Sequence, residues 1–581
     1  MNVLGMHASG PNTSACLVRD GEVLAFAEEE RFTRVKLASD AIPTRAAGFC
    51  LKQGRITLAE VDVITLGWAN NRYPDEMARF YAAHMDHPGK DEYSRIYERI
   101  SLAQKDPQFF DRRLEMAFRR TGYQGKFPKV VYHRHHLSHA YSVYYPSPFD
   151  EALIFVIDGS GEEMATSVWH GQGDRIKLLY SYDLPHSLGY FYAALTEYLG
   201  FSVFTGEGKV MGLAPYGKAN PDLRRKLDAV LWIEGEGYRV DPSYIYFAPR
   251  TYSFRHTDKL VELLGQPPRV PESNITPWHM ELAWETQAKL EAVVTHLVQQ
   301  AIQRTGIREV CIAGGVAMNC KMNGVIASLE AVRNCFVIPA SNDAGVAVGS
   351  AFVQSRDLPS SRDMARGMSV YSGPAYSDAE IEAMLTEAKI GRYEKLPDAE
   401  LFDRVGKRLA EGAIVGWFQG RMEVGARALG NRSILANPAY PAMKDRINRE
   451  VKHREPFRPF APAVLVEFVP EYFAVKPDQA FEPYHEWMLQ AAQAQPGVKD
   501  RVPAVVHVDN SIRPQVVSKR SNERFYELIR AFHRHAGVPL ILNTSFNVRG
   551  EPIICRPDEA VRCFFSTGLD MLVMGNIVVQ K

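Results

Sequence analysis

His135-His136-Leu137-Ser138-His139-Ala140, followed after one loop by Leu153-Ile154-Phe155-Val156-Ile157-Asp158-Gly159-Ser160-Gly161-Glu162, decides how the rest of the chain is read. The Ala-Tyr-Ser-Val-Tyr-Tyr run after the histidines predicts a helix over 135–145. His135 and His139 then share one face, one turn apart, with Cβ atoms about 5–6 Å from each other. That spacing chelates a metal ion, although such pairs also arise by chance on helix surfaces. An apolar run that stops at Asp-Gly reads as a strand whose carboxylate lies at the C-terminal end, where open α/β sheets place their chemistry. Asp158 is therefore a third candidate ligand.

Working outward, residues 2–6 and 22–29 flank a turn at Asp20-Gly21, a β-hairpin signal at the start of the chain. The pattern returns at 152–157, 165–169 and 176–182. Two hairpin-led halves, with an Asp/Ser/Gly-rich turn, resemble the duplicated actin-like ATPase fold, an α/β class. Residues 74–121 are charged, aromatic and poor in turns, which predicts helices. Trp284 through Thr305 predicts a long helix leading into the strand Glu309-Val310-Cys311-Ile312-Ala313 and a Gly314-Gly315 turn. Glycines there let a backbone approach a phosphate, and tight strand-to-helix turns also need them. The stretch from Phe336 to Val346 repeats the theme, so Asp343 is a candidate fourth ligand or a helix N-cap.

A chain of 581 residues with 46% hydrophobic content has room for two to four domains. Its 68 basic residues balance 68 acidic ones, so no global charge points to nucleic acid or an anionic membrane. Seven scattered cysteines contain no CxxC pair, which suits a reducing compartment. With no signal-like start and no stretch approaching 18 apolar residues, a cytoplasmic location is expected.

After Ala351 the texture changes. Ser, Arg, Pro and Gly without periodicity mark a linker at 358–378, between a first domain at 1–357 and a second at 379–581. The second half carries basic clusters. Gly416 to Ser433 interleaves glycines with Arg421, Arg427 and Arg432. Val451 to Pro462 sets Lys452, Arg454 and Arg458 among prolines and aromatics that hold the backbone extended. Ser511 to Gln515 contains Arg513, and Asn543 to Glu551 contains Arg549. Charged loops are usually solvated, but four such clusters point to an anionic small molecule, with Arg offering bidentate geometry and Lys a point charge.

Seven motifs in order along nearly the whole chain resemble the ATP-dependent O-carbamoyltransferases of antibiotic and nodulation-factor biosynthesis. They are Glu28 to Lys36, His135 to Ala140, Gly208 to Ala214, Gly314-Gly315-Val316, Glu423 to Gly430, Arg458 to Pro462 and Leu542 to Asn547. The resemblance implies an actin-like N-terminal domain and an α+β YrdC-like C-terminal domain. The latter would consume carbamoyl phosphate and ATP to give carbamoyl-AMP and pyrophosphate. The former would pass the carbamoyl group to a hydroxyl of a small-molecule, natural-product acceptor. Carried over by motif position, His135, His139, Asp158 and Asp343 hold a divalent metal, Fe2+ being expected there and Mg2+ with ATP. Lys36, Glu207, Gly315 and Asn319 meet the adenylate, and Arg427, Lys452, Arg458, Arg513 and Asn543 meet carbamoyl phosphate and ATP. His139, Asp158, Lys36 and Arg427 are the expected catalytic groups.

The resemblance brings no nucleic acid or membrane partner and leaves a homodimer open. An enclosed path would shelter the reactive anhydride from water. Relatives often carry a His-Asp or Pro-Asp pair before Ser-Ala, whereas this chain reads Gly10-Pro11-Asn12-Thr13-Ser14-Ala15, which leaves the general base open, with His7 nearby. Tyr93, Tyr97, Phe109, Phe110, Tyr246, Phe247 and Tyr252, outside every motif, are candidates for the acceptor pocket. Competing readings are an actin-like small-molecule kinase, which would make ADP, a fused tRNA threonylcarbamoyl enzyme, and a non-catalytic scaffold.

Overall fold

The computed structural model describes residues 1–8, 10–39, 41–69, 82–83, 108–247, 255–476 and 481–581. Tyr93, Tyr97, Tyr252 and most of the helices expected over 74–121 lie outside them; Phe109–Arg120 is helical. The chain divides into two compact units, Met1–Glu29 with Ser39–Met368, and Glu30–Ala38 with Ser369–Lys581. Residues 358–378, read as a linker, include the helix Ser361–Arg366 of the first unit.

The first unit is built on two sheets of the same topology. In one, β1 (Asn2–His7), β2 (Ser14–Arg19) and β3 (Glu22–Glu28) form an antiparallel meander, and β4 (Val63–Leu66) and β5 (Lys129–Tyr132) continue it in parallel, in the order β3-β2-β1-β4-β5. In the other, β6 (Glu151–Gly161), β7 (Met164–Gln172) and β8 (Arg175–Asp183) form the meander, extended in parallel by β9 (Glu309–Ala313) and β10 (Asn334–Phe336), in the order β8-β7-β6-β9-β10. The Asp20-Gly21 turn joins β2 to β3, so the opening hairpin pairs 14–19 with 22–28, while β1 joins as a third strand. Ala152 to Ile157 are all buried, as a central strand covered on both faces demands.

Four helices of this unit matter below. These are α1 (Thr44–Gly54), α2 (His135–Tyr144), α3 (Pro277–Thr305) and α4 (Ala344–Ser355). Thr276 and Pro277 start α3, and Gly306 ends it at φ +74°, a left-handed position that glycine takes without a Cβ penalty. Helix α4 is apolar and buried along nearly its whole length because it packs on α2. A Cβ on Gly349 would fall 1.8 Å from the Ser138 carbonyl, so only glycine permits that approach.

The second unit is a mixed sheet of eight strands in the order β11-β18-β17-β12-β13-β16-β14-β15. The strands are β11 (Tyr393–Lys395), β12 (Val415–Phe418), β13 (Arg432–Ala436), β14 (Ala461–Leu465), β15 (Gln515–Val517), β16 (Leu540–Ser545), β17 (Met571–Met574) and β18 (Ile577–Val579). Helices α5 (Asp398–Ala410) and α6 (Lys519–Ala536) pack together, and Leu401, Val405, Leu409, Phe525, Leu528, Ile529 and Phe532 form one core with Trp417 and Leu435. The chain is mixed α/β, and no helix among the described residues is long and apolar enough to cross a membrane.

Candidate functional site

Helix α2 presents His135 and His139 on one face, with their Nε2 atoms 3.1 Å apart. Asp158 lies where β6 slips its register against β7, between Ile157 and Gly161, so its carboxylate leaves the ladder and turns to the histidines. Its Oδ2 is 3.1 Å from His139 Nε2 and 3.6 Å from His135 Nε2. Asp343 occupies the N-cap position of α4, yet its side chain makes no capping hydrogen bond. Instead its Oδ1 lies 3.6 Å from both Nε2 atoms. Of its two sequence readings, the cap is the one that fails. One donor atom from each of these four residues falls within 4.8 Å of all the others.

The donor set fits a divalent cation. His135 Nδ1 donates to the Gly67 carbonyl at 3.0 Å, which leaves its Nε2 lone pair for a ligand. Asp158 Oδ2 is buried and accepts no hydrogen bond among the described residues. Burial pushes the His135 pKa down, but the two carboxylates outweigh it and raise the group to about 10, the mark of a pocket that favours positive charge. For both aspartates burial favours the neutral acid, and the facing imidazoles reverse this and hold the carboxyls below their ordinary range.

Three neighbours surround the cluster, of which His7 was noted in the sequence beside the open general base, while Glu162 and Trp68 were not legible as site residues. Glu162, at φ +53°, accepts from Ala69 N at 2.8 Å and from His135 N at 3.2 Å, and so holds the first turn of α2 against the Gly67-Trp68-Ala69 loop. Burial raises its pKa. Trp68 packs against the His135 ring, centroids 4.5 Å apart and planes tilted by 55°. His7, 2% exposed, places Nε2 3.5 Å from Asp343 Oδ2, and burial pushes its pKa down to about 4. His136 bonds Ser167 Oγ at 2.7 Å, away from the cluster.

Gly315 adjoins the cluster, since a Cβ there would sit 3.1 Å from Asp158 Oδ1. Asn319 caps the helix Cys320–Ser328 through Met322 N and exchanges two hydrogen bonds with Gln287 of α3. Glu207 Oε1 accepts from Phe204 N at 2.8 Å, and burial raises its pKa. Lys36 belongs to the second unit, because Arg34 bonds the carbonyls of Pro552 and Ile553 at 2.8 Å and pins residues 30–38 there. Phe109 is exposed and Phe247 is buried in the core, so neither supports the expected acceptor pocket.

In the second unit the basic clusters converge. Arg454 lies within electrostatic reach of Arg458, Arg513 and Arg427, and Arg458 within reach of Arg513 and Arg549. Burial, and then like charge, lowers the pKa of Arg454, the mark of a cluster that wants an anion. Lys452 is committed differently, for its ammonium donates to Ser545 O and Oγ and to Asn547 O and Oδ1. It braces the end of β16. Buried Glu423 accepts from the backbone N–H groups of Leu429, Asn431 and Arg432, which fixes the loop that carries Arg427.

Residues 2–352 match the family described as carbamoyltransferase N-terminus, and residues 406–581 match carbamoyltransferase C-terminus. The chain is 37% identical to an uncharacterised protein of Synechocystis sp., over 100% of this chain and 97% of that one. It is 35% identical to nodulation protein NolNO of Sinorhizobium fredii, over 98% of this chain and 80% of that one. A stretch covering 46% of this chain and 48% of the relative is 34% identical to the 3'-hydroxymethylcephem-O-carbamoyltransferase of Amycolatopsis lactamdurans. Matched by the family's two halves across most of its length, the chain belongs to the carbamoyltransferases.

Proposed function

We propose that the chain is an ATP-dependent O-carbamoyltransferase in which the second unit makes carbamoyl-AMP and the first transfers the carbamoyl group to a hydroxyl of a small molecule. The observation that carries this reading is the presence, in a carbamoyltransferase chain, of two chemically distinct groups of residues, four that could hold a cation and a set of neighbouring arginines. We read the repeated 3-2-1-4-5 sheets as an actin-like pair and the second unit as the YrdC-like domain.

In the second unit the arginines neutralise phosphoryl charge, and no protein nucleophile is needed. Water cleaves carbamoyl phosphate to carbamate and inorganic phosphate; a carbamate oxygen then attacks the α-phosphorus of ATP, forming carbamoyl-AMP as pyrophosphate leaves. In the first unit, His135, His139, Asp158 and Asp343 would hold a divalent metal, Fe2+ by family resemblance. That metal would supply a Lewis acid and a template for the nucleotide. Gly315 leaves room for the adenylate beside Asp158, and Glu207 and Asn319 line its expected seat. The kinase reading leaves these arginines without a purpose.

The test is exchange of labelled pyrophosphate into ATP. It should require carbamoyl phosphate and be lost in Arg458→Gln. Exchange without carbamoyl phosphate, or undiminished exchange in Arg458→Gln, would refute the reading.

A further inference from the structure

Residues 30–38 belong to the second unit, although the chain on either side of them, up to Glu29 and from Ser39, belongs to the first. Within this excursion Arg34, Leu37 and Ala38 have φ of +61°, +65° and +43°. Side chains with a Cβ take that left-handed region only where their surroundings hold them in it, and such strain collects where function requires it.

Two loops hold the segment. Buried Arg31 donates from Nη2 to the Gly425 carbonyl at 2.8 Å, and its Nη1 lies 2.9 Å from Glu30 Oε1. Glu30 Oε2 accepts from Leu37 N at 2.6 Å, which closes the segment on itself. Arg34 donates from Nη1 to the Ile553 carbonyl and from Nη2 to the Pro552 carbonyl, both at 2.8 Å, and its Nη2 lies 3.4 Å from Glu551 Oε2. Glu551 in turn clamps the turn 547–551, since its Oε1 accepts from Val548 N at 2.9 Å and its carbonyl from Asn547 Nδ2 at 2.8 Å. Each loop carries an arginine of the anion cluster. Gly425, at φ +88°, stands two residues before Arg427, and Arg549 lies within the turn that Glu551 clamps.

Resting on the reading of these arginines as the phosphate site, we propose that Arg31 and Arg34 are positioning residues for it, Arg31 setting the loop that carries Arg427 and Arg34 the turn that carries Arg549. They act through the backbone of those loops, and their geometry makes them unequal. A lysine can supply the single carbonyl bond of Arg31, whereas one ammonium does not reproduce the paired bonds of Arg34 to successive carbonyls.

The experiment is calorimetric titration of the metal-free intact chain with pyrophosphate, beside the kinetics of pyrophosphate exchange. Arg31→Gln and Arg34→Gln should each weaken pyrophosphate binding about tenfold, and should raise the carbamoyl phosphate KM of exchange while kcat changes less than about threefold. Arg31→Lys should bind within about threefold of the wild type, and Arg34→Lys should be as weak as Arg34→Gln. Metal affinity of the first unit should be the same in all of them. Unchanged binding in either Gln variant, Arg34→Lys equal to the wild type, or a wild type that binds no pyrophosphate overturns the proposal. Should the Gln variants not fold, the contrast between the two Lys variants decides. A wild type that binds pyrophosphate but exchanges none refutes the adenylation reading, and the binding contrast then judges the positioning role by itself.

Discussion

Gly314→Ala and Gly315→Ala, one residue apart, should fail in different ways. Gly314 has φ +91° and ψ 167°, a region that costs a residue with a Cβ about 1–3 kcal/mol. Its added Cβ would also lie 2.3 Å from the Ile157 carbonyl oxygen and 2.7 Å from its carbon, in the middle of the sheet. Forcing that overlap apart costs about another 1–3 kcal/mol. Gly314→Ala should therefore destabilise the first unit by about 2–6 kcal/mol. Gly315 is not at positive φ, and its Cβ would meet only the Asp158 carboxylate, at 3.1 Å from Oδ1. That side chain can yield by a few tenths of an ångström, so Gly315→Ala should cost under about 1 kcal/mol of stability while loosening the cation site about tenfold. Denaturant unfolding gives the first quantity and competitive metal titration the second. A Gly314→Ala chain as stable as the wild type, or a Gly315→Ala chain with unchanged metal affinity, would refute the reasoning.

Glu162→Gln should weaken metal binding about 10- to 100-fold, because it removes the carboxylate that holds the His135 turn. An unaltered titration curve would count against that role. Chelation should lower the unfolding midpoint of the first unit, and metal at about 100 times its Kd should restore about 2.7 kcal/mol; a midpoint indifferent to metal would rule out a site in the native state. Glu29, 3% exposed, accepts from Arg45 N and Ala46 N at the start of α1, and burial pushes its pKa from 4.5 up to about 7. The folded state then holds the proton more tightly than the unfolded one. Its contribution is complete below about pH 4.5 and is lost as pH rises through 7, about 3 kcal/mol in all. The difference in stability between wild type and Glu29→Gln should shrink accordingly between pH 4.5 and 8, and parallel pH profiles would contradict this.

The grouping of His135, His139 and Asp158 was legible where its geometry is local. An i, i+4 histidine pair and an aspartate ending an apolar run need only helix and strand periodicity. Asp343 stayed divided between ligand and cap because both use the same position, and only the direction of its carboxylate separates them. Glu162 was out of reach, since its part depends on a left-handed backbone and on the slipped register of β6 that brings it back to α2. The unit to which Lys36 belongs was out of reach for a similar reason. Its placement is set by Arg34 reaching residues about 500 positions away, which no local pattern encodes. In the second unit, composition revealed the arginine clusters but not their division of labour. Lys452 was read as one more anion ligand, and the structure adds that its ammonium lies within hydrogen-bond reach of Ser545 and Asn547.

The most direct test of the central claim is to identify the products released from ATP by the purified, metal-loaded chain with and without carbamoyl phosphate. The account predicts AMP and pyrophosphate in equal amounts, only when carbamoyl phosphate is present. Formation of ADP, or release that ignores carbamoyl phosphate, would contradict it and bring the kinase reading forward.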